Sequence, residues 1–385
     1  MNDSARAEIV VDVAALRHNV RRLRETVTRA DGTAPACMTV VKADGYGHGM
    51  VAVARAAREA GADWLGVATL DEAVELRDSG DAGPLLAWLT VPGEDHGPAL
   101  AREVDVAAYS IAQLDDVAAA ARRVGRTARV HLKVDTGLNR GGCSREDWPA
   151  LCASAVDHEA GGAVQVVGVW SHLVASDEPE HPANDEQEAR FRDAVCVAEA
   201  AGLRPRWRHL ANSAAGLLRP TAHFDMVRFG IASYGLDPAP GHAPDVGLVP
   251  AMTARARFGM VKRVHRGDGV SYGHTWHADR DTCLGLVPAG YGEGIARIAG
   301  NRAEVWADGA RRPVRGRICM DQFMVDLGPD TTAVAGDPVE LFGTGHDGAP
   351  TAQDWAEVCE TISYEVVTRI GGRFTRVYVD SEARG

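Results

Sequence analysis

Residues 104–134 read VDVAAYSIAQLDDVAAAARRVGRTARVHLKV. Two nearly continuous apolar runs, VDVAA from Val104 and VHLKV from Val130, bracket a helix-like segment, Ile111 to Arg123. Strands buried on both faces read as such runs, so the stretch is a strand–helix–strand unit. The unit recurs outward in both directions. Upstream lie CMTVVK (Cys37 to Lys42), WLGVA (from Trp64) and LLAWL (from Leu85); downstream lie VQVVGVW (from Val164), WRHL (from Trp207) and MVR (from Met226). Helical patterns at Met50 to Ala60, Asp71 to Asp78 and Glu186 to Ala201 fall between them. Eight such units in roughly 250 residues match a (β/α)8 barrel in number and length. A doubly wound sheet is the alternative, because periodicity does not report closure. One more amphipathic helix precedes the first run, with Asp12 as its cap and Leu16, Val20, Leu23 and Val27 as its apolar stripe. Arg17, Arg21, Arg22 and Arg24 are expected on its solvated face.

The pattern changes at DPAPGHAPDVGLVP (Asp237 to Pro250), a linker by its proline and glycine content. Short alternating segments follow, so the expected division is an α/β barrel over 1–245 and a smaller, mainly β domain over 246–385. TAQDWAEVCETI reads as a helix there, with Thr351 and Asp354 as a capping box. With 385 residues, 45% hydrophobic and 24% charged, the chain can bury a large core, which excludes a disordered protein. No run approaches the roughly 18 apolar residues of a membrane helix, and MNDSARAEIV lacks a signal pattern. Seven scattered cysteines form neither a disulfide framework nor a zinc site. A net charge of −12 weighs against nucleic acid and anionic membranes. These features predict a cytoplasmic enzyme without a metal.

The most informative motif is VVKADGYGHG (Val40 to Gly49), where Lys42 ends a buried run before a glycine-rich turn. Burial lowers a lysine's pKa from roughly 10.4 and suits it to Schiff-base chemistry; a lysine snorkelling from the barrel mouth is the plainer reading. In HFDMVRFGIASYGL (His223 to Leu236), Arg228 sits at a strand end, and Gly230 and Ile231 can offer N–H groups to an anion. ANSAAG adds Ser213, either an anion ligand or a helix cap. In HLKVDTGLNRGG (His131 to Gly142), Lys133 and Asp135 share a strand face, and Arg140 in the loop beyond can grip a carboxylate. His172 follows the sixth run, Tyr272 lies in VSYGHTW, and Met320 in GRICMDQF; each is equally readable as structural. GTGHDG (Gly343 to Gly348) fits G-x-G-x-x-G, but too little chain follows for a dinucleotide unit, and a hairpin turn is expected.

Together and in order, VVKADGYGHG, HLKVDTG-x-x-R, ANSAA, RFGIA-x-YGL, VSYGHTW, GRICMDQ and TISYEVVTRI resemble the alanine racemase family, pyridoxal 5'-phosphate enzymes of fold type III. The likeness spans almost the whole chain. It implies Lys42 as the Schiff-base lysine and one of two bases, and Tyr272 of the other subunit as the second, on the opposite face. It implies Tyr46, Ser213, Gly230, Ile231 and Tyr364 around the phosphate, and Arg228 facing the pyridine nitrogen with His172 linking it towards Tyr272. Arg140 would contact the cofactor's phenolic oxygen and the substrate carboxylate, Met320 of the partner subunit would offer an N–H, and Tyr291 would join Tyr364 at the entrance. Lys133 matches a position often carbamylated in the family. A homodimer with shared sites, alanine as substrate and a supply of D-alanine for peptidoglycan are implied as well. Glu293 stands where Asp is commoner, and Asn139 where Gly is common. A serine or broader racemase and a non-catalytic cofactor carrier are the competing readings; the carrier has no use for Tyr272 or Met320.

Overall fold

The computed structural model describes residues 5–28 and 32–381; Met1 to Ser4, part of the stretch read for a signal, lie outside the described residues. The chain opens with strand β1 (Ala7–Asp12) and helix α1 (Val13–Thr26). Eight strands then build one parallel sheet: β2 (Ala36–Val40), β3 (Trp64–Val67), β4 (Leu85–Ala87), β5 (Asp105–Ala108), β6 (Ala128–Lys133), β7 (Val164–Trp170), β8 (Trp207–His209) and β9 (Met226–Phe229). They run in the order β8-β7-β6-β5-β4-β3-β2-β9. The ends meet: the Asp225 N–H donates to the Arg208 carbonyl at 3.0 Å and the Arg228 N–H to the Ala211 carbonyl at 3.1 Å. The sheet is thus a nearly closed barrel, and the doubly wound alternative is excluded. All eight expected runs supply its strands. Their burial on both faces, as in β3, β4 and β5 where every residue is buried, is what made them legible as apolar runs.

Helix α1 starts as expected, with the Asp12 carboxylate accepting from the Ala14 N–H at 2.9 Å. Its stripe of Leu16, Val20 and Leu23 is buried, and it packs beside helix Met50–Glu59 and the turn after β9, filling the gap in the helical ring. Arg17 departs from expectation. It is buried rather than solvated, paired with Asp380 at 2.7 Å and Glu59 at 3.5 Å. The C-terminal segment covers this part of the helix.

The second lobe is a nine-stranded sheet in the order Met260–Val264, Thr282–Val287, Phe323–Gly328, Ala310–Arg315, Glu304–Ala307, Pro338–Phe342, Met252–Arg257, β1, Thr375–Val379. β1 pairs antiparallel with Met252–Arg257 and parallel with Thr375–Val379, so the N-terminus is stitched into this sheet before the chain enters the barrel. The buried Glu8 in β1 is neutralised by Arg255 at 2.9 Å. Helix Ala352–Val358 carries the expected Thr351/Asp354 capping box. GTGHDG joins a strand to this helix instead of forming a hairpin; Asp347 there takes a left-handed φ of 50°. No helix among the described residues is long and apolar enough to cross a membrane.

Candidate active site

Lys42 lies just past the C-terminal end of β2, at the barrel mouth, and begins a single turn, Lys42–Tyr46. That turn is left-handed: Ala43, Asp44 and Tyr46 have φ of 53°, 53° and 51°, each costing roughly 1–2 kcal/mol for a residue with a Cβ. Glu72 holds the turn, accepting from the Ala43 N–H at 2.7 Å with one oxygen and the Ala68 N–H at 2.8 Å with the other. Asp44 accepts from the Met50 N–H and pairs with Arg376 at 2.7 Å. Strain compensated this thoroughly marks a position set for use. The Lys42 ammonium lies 5.9 Å from the Trp88 ring centroid. Burial, then the Arg140 charge, pulls its pKa below the ordinary lysine value.

Tyr46, Ser213, Gly230, Ile231 and Tyr364 form one cluster. The Ser213 hydroxyl accepts from the Gly230 N–H at 2.8 Å. Asn212, not Ser213, caps the helix Ser213–Leu218, so the capping alternative for Ser213 fails and its hydroxyl faces the site. A Cβ on Gly230 would lie 2.5 Å from the Tyr46 hydroxyl, so a side chain there would displace the Tyr46 ring. Tyr46 stacks on Tyr234 at 4.8 Å and lies 6.2 Å from the Tyr364 ring. Tyr364 reaches the barrel mouth from helix Ser363–Arg369, whose close approach needs Gly47: a Cβ there would meet the Val367 carbonyl at 2.2 Å. The Tyr46 and Ser213 hydroxyls and the turn that opens at Ile231 form a cradle that suits a phosphate.

Arg228, third residue of β9, is buried. Its guanidinium donates to the carbonyls of Ser171 (2.9 Å) and Leu210 (3.0 Å) and to Nδ1 of His172 and of His209 (both 3.2 Å). All four acceptors are neutral. Burial lowers the Arg228 pKa to about 9, so it stays a cation at neutral pH. Burial and then the Arg228 charge push His172 far below its ordinary value, which keeps that ring uncharged. Lys133, the last residue of β6, sits 4.6 Å over the Trp170 ring, and burial with Arg228 and Arg140 lowers its pKa to about 8. Arg140 is exposed and makes no hydrogen bond or ion pair among the described residues. Its loop is shaped by Asp135, which accepts from the N–H groups of Gly137 and Asn139. Asn139 has φ 55°, a conformation asparagine tolerates better than most residues; that explains how it can occupy a place where glycine is common.

The remaining three candidates lie elsewhere. Tyr272, Tyr291 and Met320 belong to the second lobe and are 71%, 43% and 54% exposed. Their loops are tied together: the Tyr291 and Gly292 N–H groups donate to the carbonyls of Cys319 and Met320, and the Ser271 hydroxyl donates to the Arg317 carbonyl at 2.6 Å. Glu293 is buried, where its carboxylate accepts from the Gly290 N–H at 2.9 Å and pairs with Arg373. Among the described residues no hydrogen bond or ring contact joins this cluster to Lys42. Sequence reasoning missed Trp88, Trp170 and His209, which line the barrel mouth. His209 falls within an expected strand, WRHL, but carries no motif; Trp88 and Trp170 read as ordinary apolar strand residues.

Residues 11–238 match the family described as alanine racemase, N-terminal domain, and residues 251–378 its C-terminal domain. The alanine racemase of Salinispora arenicola is 53% identical over 371 residues, covering 96% of this chain and 97% of that protein. The crystal structure of alanine racemase from the D-cycloserine-producing Streptomyces lavendulae superposes with a TM-score of 0.95 at 49% identity, over 98% of each chain. That of Bacillus anthracis alanine racemase with bound L-Ala-P gives 0.88 at 31% identity, over 98% and 96%. The chain belongs to the alanine racemase family, pyridoxal-phosphate-dependent isomerases built from a barrel and a mainly β domain.

Proposed function

We propose that the chain interconverts L- and D-alanine by a two-base mechanism in a homodimer with shared active sites. The residues present fit pyridoxal phosphate. Lys42 would be the amine that holds the aldehyde carbon; Tyr46, Ser213, Gly230, Ile231 and Tyr364 would cradle the phosphate; Arg228 would meet the pyridine nitrogen. When bound, the cofactor withdraws electrons from the bond to the Cα hydrogen and so makes that proton removable. Lys42, whose pKa its burial lowers, takes or gives the proton on one face of Cα. Tyr272 of the partner subunit does the same on the other face, so the substrate need not turn over. Arg140 orients the substrate carboxylate, with Met320 and Tyr291 of the partner subunit closing the entrance. Lys133, when carbamylated, positions Arg140.

One observation carries this reading: Arg228 is a buried cation whose acceptors are all neutral, which supports its assignment to the ring nitrogen. A cation there discourages protonation of that nitrogen and leaves a weaker electron sink, which favours simple return of the proton at Cα over transamination. In this reading the division at 245/246 is one of labour, with the barrel holding the cofactor and the second lobe completing the partner's site. The product serves peptidoglycan synthesis in the cytoplasm. A Tyr272→Phe variant tests the assignment. It should release the Cα proton of one enantiomer into deuterated water while failing with the other, with cofactor binding unchanged. Exchange from both enantiomers at wild-type rates would refute the two-base reading.

A further inference from the structure

Behind Arg228 a line of polar side chains runs through the barrel interior, and none of it belongs to the cofactor cradle. His209 Nδ1 faces the Arg228 guanidinium at 3.2 Å. On the other side of the ring, His209 Nε2 lies 2.9 Å from His131 Nδ1, and His131 Nε2 lies 3.3 Å from the Asp105 carboxylate. The second Asp105 oxygen accepts from Arg129 at 2.8 Å, whose side chain reaches the opposite rim of the barrel. Both rings and the carboxylate are buried.

The barrel is shaped to admit these groups. The β6–β7 register shifts between Val130 and His131, where His131 comes to lie opposite Gly168. A Cβ on Gly168 would stand 2.2 Å from His131 Nδ1, so only glycine leaves room for the ring. Such a bulge re-aims side chains. Trp64 meets His131 edge-on, and Trp170 stacks on His209 with ring planes 3° apart.

The order of donors and acceptors along this line has a direction. A carboxylate only accepts, so His131 must carry its proton on Nε2, leaving Nδ1 as a lone pair. That lone pair obliges His209 to carry its proton on Nε2 also. His209 Nδ1 is then a lone pair as well, the one arrangement in which it can accept from Arg228. Reversing either ring would set N–H against N–H somewhere on the line.

We infer that Asp105 and His131 are positioning residues for the racemisation: through His209 they fix the acceptor that aims the Arg228 guanidinium at the ring nitrogen. This rests on the proposed placement of that nitrogen against Arg228. Asp105 and His131 touch neither cofactor nor substrate.

The test combines nitrogen NMR of the histidine rings, in the dimer with and without pyridoxal phosphate, with alanine racemisation kinetics. In the wild type both rings should show a protonated Nε2 and a bare Nδ1 even without cofactor. Asp105→Leu keeps the branched shape but removes the acceptor, so both rings should populate both tautomers. With cofactor bound, kcat should then fall about tenfold, the worth of one hydrogen bond to a charged group, with KM within about twofold of wild type. Asp105→Asn keeps an acceptor oxygen and should restore both the tautomers and most of kcat. A wild-type His131 protonated on Nδ1 would overturn the inference, as would unchanged tautomers or unchanged kcat in Asp105→Leu. If the leucine variant fails to fold, the wild-type spectrum and Asp105→Asn still decide. A wild type with the expected tautomers but no racemisation would instead remove the proposed function.

Discussion

The barrel mouth and the exposed edge of the second lobe hold two halves of one set of candidates in opposite states. At the barrel mouth nearly every group is buried and already engaged: Arg228 has four acceptors, Ser213 holds the Gly230 N–H, and the left-handed turn after Lys42 is braced by Glu72. At the second-lobe edge the backbones are equally well tied, yet Tyr272, Tyr291 and Met320 are exposed and their side chains make no hydrogen bond among the described residues. A protein seldom fixes the backbone under three exposed, partly apolar side chains unless something covers them. The first cluster is assembled within one chain. Under the proposed function, the second would complete a site in another copy.

That contrast can be broken at several points. Under the proposed function, Lys42→Ala would remove both the amine that holds the cofactor and one base, so racemisation should drop by roughly 10⁴-fold or more, checked by D-alanine formation with excess cofactor. Tyr272→Phe should cost roughly 10²–10⁴-fold while leaving thermal stability unchanged, because the ring is exposed in one chain. A change in melting temperature as large as that of a core variant would contradict its placement on the surface. Gly47→Ala acts on the seam that brings Tyr364 to the barrel. A Cβ at φ 79° and 2.2 Å from the Val367 carbonyl should destabilise by about 2–4 kcal/mol, read by denaturant unfolding. Weaker cofactor binding should accompany that loss.

Acidification should also weaken the barrel side. Burial lowers His48 to about 4 and also pushes His172 and His209 well below the ordinary histidine value. Groups whose pKa is depressed on folding contribute stability that is full above the unfolded value, near 6.5, and lost as pH falls towards the folded one. His48 alone corresponds to about 3 kcal/mol between pH 6.5 and 4, measurable as a falling unfolding midpoint. Met320→Ala should do least, within about 0.5 kcal/mol of wild-type stability, with its effect confined to KM.

The barrel was legible because its strands are buried on both faces and so appear as apolar runs. β1 was not, because Glu8 interrupts AEIVVD and its neutralising Arg255 lies 247 residues away. Arg17 was misjudged for a related reason: a helical stripe shows which face is apolar, but not that the C-terminal segment will lie over its edge. Lys42, Arg228 and Tyr272 could be found from motifs, since each sits beside glycines that the close packing requires. His131 stands two residues before Lys133, so strand alternation puts both on one face. Its partners His209 and Asp105 lie on other strands, and only the curvature of the barrel brings them within hydrogen-bonding distance.

The central claim is that each site takes Lys42 from one chain and Tyr272 from the other. Mixing Lys42→Ala and Tyr272→Phe chains, unfolding them together and refolding tests it directly. Each variant alone should be nearly inactive. In the mixture about half the dimers are hybrids, each with one intact site and one doubly defective site, so activity should recover to about a quarter of wild type. Activity that stays at the level of the separate variants would contradict the shared site.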